Sequence, residues 1–121
     1  MLWIALSAIG TLSFAQKDNE YLMAWCSSKE LKEVKLGCLS DAPMIISLQN
    51  NDWTTKGYKL AFIDADGNKM IFTSHNGKAI AGLIEKAKAM RPVFIEVFDV
   101  IIGDKENAII VDQKFKYPLV F

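Results

Sequence analysis

The chain has 121 residues, enough for one domain and too few for two well-packed ones. Hydrophobic residues make up 51%, which excludes a disordered chain. Fourteen Lys and Arg balance fourteen Asp and Glu, so no excess positive field exists to hold a phosphate backbone or an anionic membrane surface, and nucleic acid is excluded as an expected partner.

Residues 1–16 carry no charged side chain, and 2–15 are apolar apart from Ser7, Gly10, Thr11 and Ser13. The run is short of the about 20 residues a membrane-spanning helix needs. Ser13 and Ala15 supply small side chains where a signal peptidase cuts, and Lys17, Asp18 and Glu20 follow at once. The reading is a signal peptide over 1–15, a mature chain from Gln16 without a membrane anchor, and export to a periplasm or beyond. Export would place both cysteines in an oxidising compartment, where an even count allows a Cys26–Cys38 disulfide; two buried free thiols in a cytosolic protein are the alternative. Tetrahedral zinc needs four ligands and His75 is the single histidine, so no metal centre or other cofactor is expected. Trp25, before Cys26, is too large for a lipidation site.

Ser27, Ser28, Lys29 and Glu30 have the capping-box pattern, predicting a helical turn or two with Leu31 and Val34 on one face. Residues 35–39 and, more clearly, 44–48 (Met44, Ile45, Ile46, Ser47, Leu48) read as strands. Polar residues 49–52 turn the chain, and 53–57 are expected to continue that loop. Residues 58–63 alternate, with Tyr58, Leu60 and Phe62 on one side, and return over 69–74 through Asp64, Asp66, Gly67 and Asn68, a hairpin favoured by Asp-Gly. Ile80, Leu83, Ile84 and Ala87 at i, i+3, i+4 and i+7 predict a helix that Pro92 ends near Met90 or Arg91. The near-continuous apolar run 93–102 predicts a central strand, either covered on both faces or bent so that each face is used in turn. Residues 103–107 turn, 108–117 pair back as a final strand, and Pro118 closes it.

The order strand, strand, strand, helix, strand, strand, carried by residues 58–67 through Ile109, Ile110 and Val111, resembles that of small exported bacterial members of the oligonucleotide/oligosaccharide-binding fold (OB-fold), where a helix plugs a five-stranded barrel between its third and fourth strands. The expected class is therefore α+β and strand-rich, over a single domain of residues 16–121: an OB-fold-like barrel, or a half-open antiparallel sheet wrapped on one helix.

Asp64, Asp66 and Asn68 have oxygens at the alternate positions of a calcium loop, but that loop needs glycine where Lys69 stands and a bidentate glutamate where His75 stands. His75 is the one candidate general base, and the Asp64 turn needed to orient it lies at the opposite end of a strand. No glycine-rich phosphate loop or spaced carboxylate pair is present, so an enzyme is not expected. Trp53, Tyr58, Phe72 and His75 are the candidate ligand-binding residues, with Phe115 and Tyr117 further aromatic candidates, because exposed rings bind sugars, peptides or proteins with little entropic cost. The functional expectation is an exported, non-catalytic module taking a protein, peptide or glycan at the barrel-mouth loops. The alternative is a secreted enzyme inhibitor or immunity-like protein acting through the loop 50–57 with Trp53 at its tip. The last three residues, Leu119, Val120 and Phe121, are expected to pack on the barrel or to offer an edge for strand addition.

Overall fold

The computed structural model describes Leu12–Phe14 as a strand and residues 21–50 and 52–121 throughout. The strands in chain order are β1 (Leu12–Phe14), β2 (Tyr21–Ala24), β3 (Val34–Lys35), β4 (Met44–Ser47), β5 (Thr54–Ile63), β6 (Lys69–Thr73), β7 (Phe94–Gly103), β8 (Ala108–Val111) and β9 (Phe115–Val120). A 3₁₀ turn (Leu36–Ser40) follows β3, and one helix, α1 (Leu83–Met90), lies between β6 and β7. The described residues are thus strand-rich with one α-helix.

β7 is the spine of the main sheet. Antiparallel β5 runs along one side of it, from Thr54↔Gly103 to Ile63↔Phe94. The other side is shared: β9 pairs with residues 94–97 and β8 with residues 100–103, both antiparallel. Where the partners change, the β5 ladder steps from Gly57↔Ile101 to Lys59↔Phe98, leaving an extra residue on β7. Asp99 takes φ +48° there, a left-handed conformation uncommon outside glycine. Such a bulge bends a strand and shifts its side-chain alternation by one. The consequence is visible in burial: Ile95 and Val97 face the core before it, Val100 and Ile102 after it, and all four are fully buried. Of the two arrangements expected for the continuous apolar run, the bent strand is the one present.

β6 pairs with β5 at one edge of this sheet, β1 lies parallel to β8, and β3 lies parallel to β9. The described pairings do not close a barrel, and the half-open sheet describes the architecture. β2 and β4 form a separate antiparallel ribbon from Tyr21↔Ser47 to Ala24↔Met44. Its inward residues Met23 and Ile45, with Trp25 and Leu39, close the core over Leu60, Phe62, Ile95 and Val97, and α1 adds Leu83 and Ala87. Burying side chains of this size removes about 1.5–3 kcal/mol of unfavourable exposure each, which holds the two sheets and the helix together.

Several expected elements differ. Residues 27–30 form no helix: Cys26 and Ser27 have φ of +54° and +64°, and Trp25 and Ser28 exchange backbone hydrogen bonds of 3.1 and 3.0 Å across them, a tight turn with two left-handed residues. The disulfide ties that turn to the 3₁₀ segment, and a helix starting at Ser27 would break it. Residues 54–57 are strand rather than loop, because Thr54 and Thr55 pair with Gly103 and Ile102. α1 begins at Leu83, not Ile80; Ile80 packs against the core from the preceding loop. Its end agrees with expectation, with Arg91 at φ +56° donating its N–H to the Ala87 carbonyl at 2.7 Å, followed by Pro92. Pro118 does not close the last strand, which runs on to Val120. Leu119 N–H donates to the Val93 carbonyl, so the neighbouring position 118 directs its nitrogen away from β7, where no donor is required.

Candidate functional site

The four candidate ligand-binding residues form no common exposed surface, since of the four only His75 is exposed. Tyr58 is 3% exposed, and its hydroxyl donates to the Lys78 carbonyl at 3.0 Å, which also accepts from the Ser74 hydroxyl at 2.7 Å. Burial holds its phenol above the usual range. Phe72 is half-buried and meets Phe62 edge to face, with ring centroids 5.4 Å apart. Trp53 is half-buried against the core just before β5 rather than projecting as the tip of its loop. Of the further aromatics, Phe115 is buried and Tyr117 half-buried. His75 is exposed beyond one end of β6, while Asp64 and Asp66 lie beyond the other. Among the described residues no group of three or more His, Cys, Asp or Glu side chains is placed to hold a metal ion, and Asp64 is spent on its own turn, accepting from the backbone N–H of Asp66 (3.0 Å) and Asn68 (2.8 Å). These hydrogen bonds, that from Asn68 first, hold its carboxyl below the usual range.

The surface that does converge is the outward face of the β2–β4 ribbon. Because Tyr21, Met23, Ile45 and Ser47 point inward, the cross-strand pairs Leu22↔Ile46 and Ala24↔Met44 lie on the outer face, where Leu22 and Met44 are exposed, Ile46 is half-buried and Ala24 is covered. Every one is apolar. Met44 is 58% exposed, and Leu48, just beyond β4, is 56% exposed. A cleft of about 280 Å³ opens on this face between Met44, Ile46 and Ala24 on one side and the Cys26 turn on the other, with Lys29 and Asp41 also lining it.

The wall of that cleft is built by the Cys26–Cys38 disulfide, whose Cα atoms are 5.5 Å apart. Trp25, 1% exposed, is held beside it by its indole N–H donating to the Asp41 carbonyl at 3.1 Å. Cys26 Sγ also approaches Asp41 Oδ2 at 3.7 Å, a contact rather than a hydrogen bond because a bridged sulfur has no proton. A second cleft, about 300 Å³, lies on the other side of Trp25 near Leu31 and Lys35, and a third, about 380 Å³, lies where the 3₁₀ turn meets the start of α1. Only the first of the three is continuous with the exposed apolar face of the ribbon. It offers flexible Met44, branched Ile46 and one charge of each sign, a set suited to packing a partner's apolar side chain.

No protein-family model matches the chain, and no characterised protein is similar to it in sequence. Among the described residues no helix is long and apolar enough to cross a membrane. Of the predicted signal segment only Leu12–Phe14 is described, as the strand parallel to β8; the cleavage position lies outside the described residues.

Proposed function

We propose that the protein is an exported, non-catalytic module that binds a protein or peptide through the outward face of the β2–β4 ribbon and the cleft beside its disulfide. One observation carries this reading: a two-stranded ribbon has an apolar face beyond the one it needs for the core. Leaving Met44 and Leu48 exposed forgoes burial free energy that polar residues there would not cost, and exposed apolar patches mark interaction sites. Polypeptide is favoured over glycan because the rings that would stack on sugars, Tyr58 and Phe72, are committed to the core and its edge. Export is supported by the disulfide, which persists in non-reducing compartments. The reading includes a topological relation to the OB-fold, supported by the place of α1 between the β5–β6 and β7–β8 hairpins.

The test is to pan a displayed peptide library against the purified protein and against Met44→Glu and Leu22→Lys variants. Both positions are exposed, so the variants keep their thermal stability within about 0.5 kcal/mol. Peptides that bind the parent and lose binding to both variants support the site. Equal binding to parent and variants, or no enriched peptide, sinks it. Intact mass of protein recovered from the exporting cell tests the location: a chain beginning at Gln16 and resistant to alkylation until reduced is expected.

A further inference from the structure

β6 is a sheet edge with no partner on its far side among the described residues, and its side chains are mostly exposed, Met70 at 45% and Ile71 at 55%. Which backbone groups face outward follows from the hairpin. Asp64 N–H donates to the Asn68 carbonyl and Ser74 N–H to the Tyr58 carbonyl, so by the alternation of an antiparallel ladder Met70 and Phe72 direct their N–H and C=O groups to β5. Lys69, Ile71 and Thr73 direct theirs away, leaving three donors and three acceptors spaced evenly about Ile71.

We propose that this edge pairs with the same edge of a second copy, antiparallel, with the two-fold axis at Ile71. That register alone pairs all three outward residues of each strand: Ile71 with Ile71 of the other copy, and Lys69 with Thr73 in both directions. Slipping by two residues loses a pair. Like charges do not meet, because the strand's one charged residue, Lys69, faces Thr73. The lysines of that face are already neutralised within each chain, Lys69 beside Glu96 at 3.8 Å and Lys59 beside Asp99 at 3.5 Å. On the opposite face Met70 of one copy comes beside Phe72 of the other, a favourable sulfur–aromatic pairing.

Charge complementarity beyond the strand ends points to a second copy rather than an unrelated strand. Antiparallel pairing about Ile71 lays the turn 64–68, with Asp64 and Asp66, alongside residues 74–78 of the other chain, with His75 and Lys78, and does so twice by symmetry. Acidic turn and basic loop stand at opposite ends of β6 in one chain and become neighbours only between two. The formal net charge of zero leaves no long-range repulsion to oppose approach.

The test is cysteine cross-linking at defined register, with the native disulfide intact and verified by peptide mapping, together with sedimentation of the unmodified protein over a range of concentrations. Paired Cα atoms in a hydrogen-bonded antiparallel position are about 5.5 Å apart, within disulfide reach. Ile71→Cys is therefore expected to link to itself. Lys69→Cys alone is not, since its two copies stand about 13 Å apart along the strands, but mixed with Thr73→Cys it forms a heterodimer. The unmodified protein is expected to show a weak, concentration-dependent dimer that Ile71→Lys abolishes by placing two cations at the axis. Self-linking of Lys69→Cys as efficient as that of Ile71→Cys, or a monomer at every concentration, overturns the proposal.

Discussion

Replacing Cys26 by Ala isolates what the disulfide contributes. The bond spans a sequence separation of 12, and the chain-entropy relation for a loop of that size gives about 3 kcal/mol lost from the folded state's advantage when the constraint is removed. Packing adds little at this position, because Cys26 is exposed in its turn. Cys38, 7% exposed, remains as a small apolar thiol in the core. Against a total stability of about 5–15 kcal/mol, the loss lowers the melting temperature by on the order of 10 °C. Urea and thermal denaturation followed by circular dichroism measure it, with the reduced parent expected to match the variant and reductant expected to leave the variant unchanged. A loss below about 1 kcal/mol refutes the reasoning, since residues 26–38 would then be restrained in the unfolded chain without the bond.

Tyr58→Phe removes a buried hydroxyl donor from the Lys78 carbonyl, but the Ser74 hydroxyl still satisfies that acceptor, so denaturant titration is expected to show a cost of about 1 kcal/mol; a cost above about 3 kcal/mol contradicts this network. Gly77→Ala is expected to destabilise by more than about 1 kcal/mol, because φ is +72° and the added methyl would collide with the Thr55 carbonyl. Gly82→Ala, at φ +78° but in open space, is expected to cost less in the same titration, and the reverse order would count against the reasoning. Asp64 holds a lowered pKa in the folded chain, so its contribution is present in full above the ordinary carboxyl range and lost as pH falls through the lowered value. The difference in urea midpoint between the parent and Asp64→Ala is therefore expected to shrink on acidification below that range, and a pH-independent difference speaks against the carboxylate's role.

Local chemistry made the hairpin, the end of α1 and the Cys26–Cys38 pairing legible in the residues alone: an Asp-Gly turn, a proline and an even cysteine count each act over a few positions. The β7 run was legible as a strand, and its continuous hydrophobicity has a definite cause in the bulge at Asp99, which moves the buried parity from Ile95 and Val97 to Val100 and Ile102. What local patterns missed depended on distant partners. The Ser27 capping box is overruled by a turn tied to Cys38, and Thr54 is strand only because Gly103 lies beside it. Pro118 reads as a stop until the side its nitrogen faces is known. The ribbon face was missed for a related reason: Tyr21–Ala24 is too short to show a period, and the continuous apolar stretches in it and in Met44–Ser47 do not distinguish a strand buried on both faces from one with an exposed apolar side. Aromatic residues drew the sequence-based site toward Tyr58 and Phe72, whose size also makes them good core.

The sharing of β7 among three neighbours has a consequence for how the domain comes apart. Among the described residues, no strand of the main sheet can peel away in company with another unless β7 lets go, because β6 reaches the rest only through β5, and β5, β8 and β9 each hold directly to β7. Partial opening is thereby confined to the periphery, and the centre is lost in a single cooperative event. The slowest-exchanging amides of the protein are expected along residues 95–102, so that one bent strand sets the global limit on its lifetime.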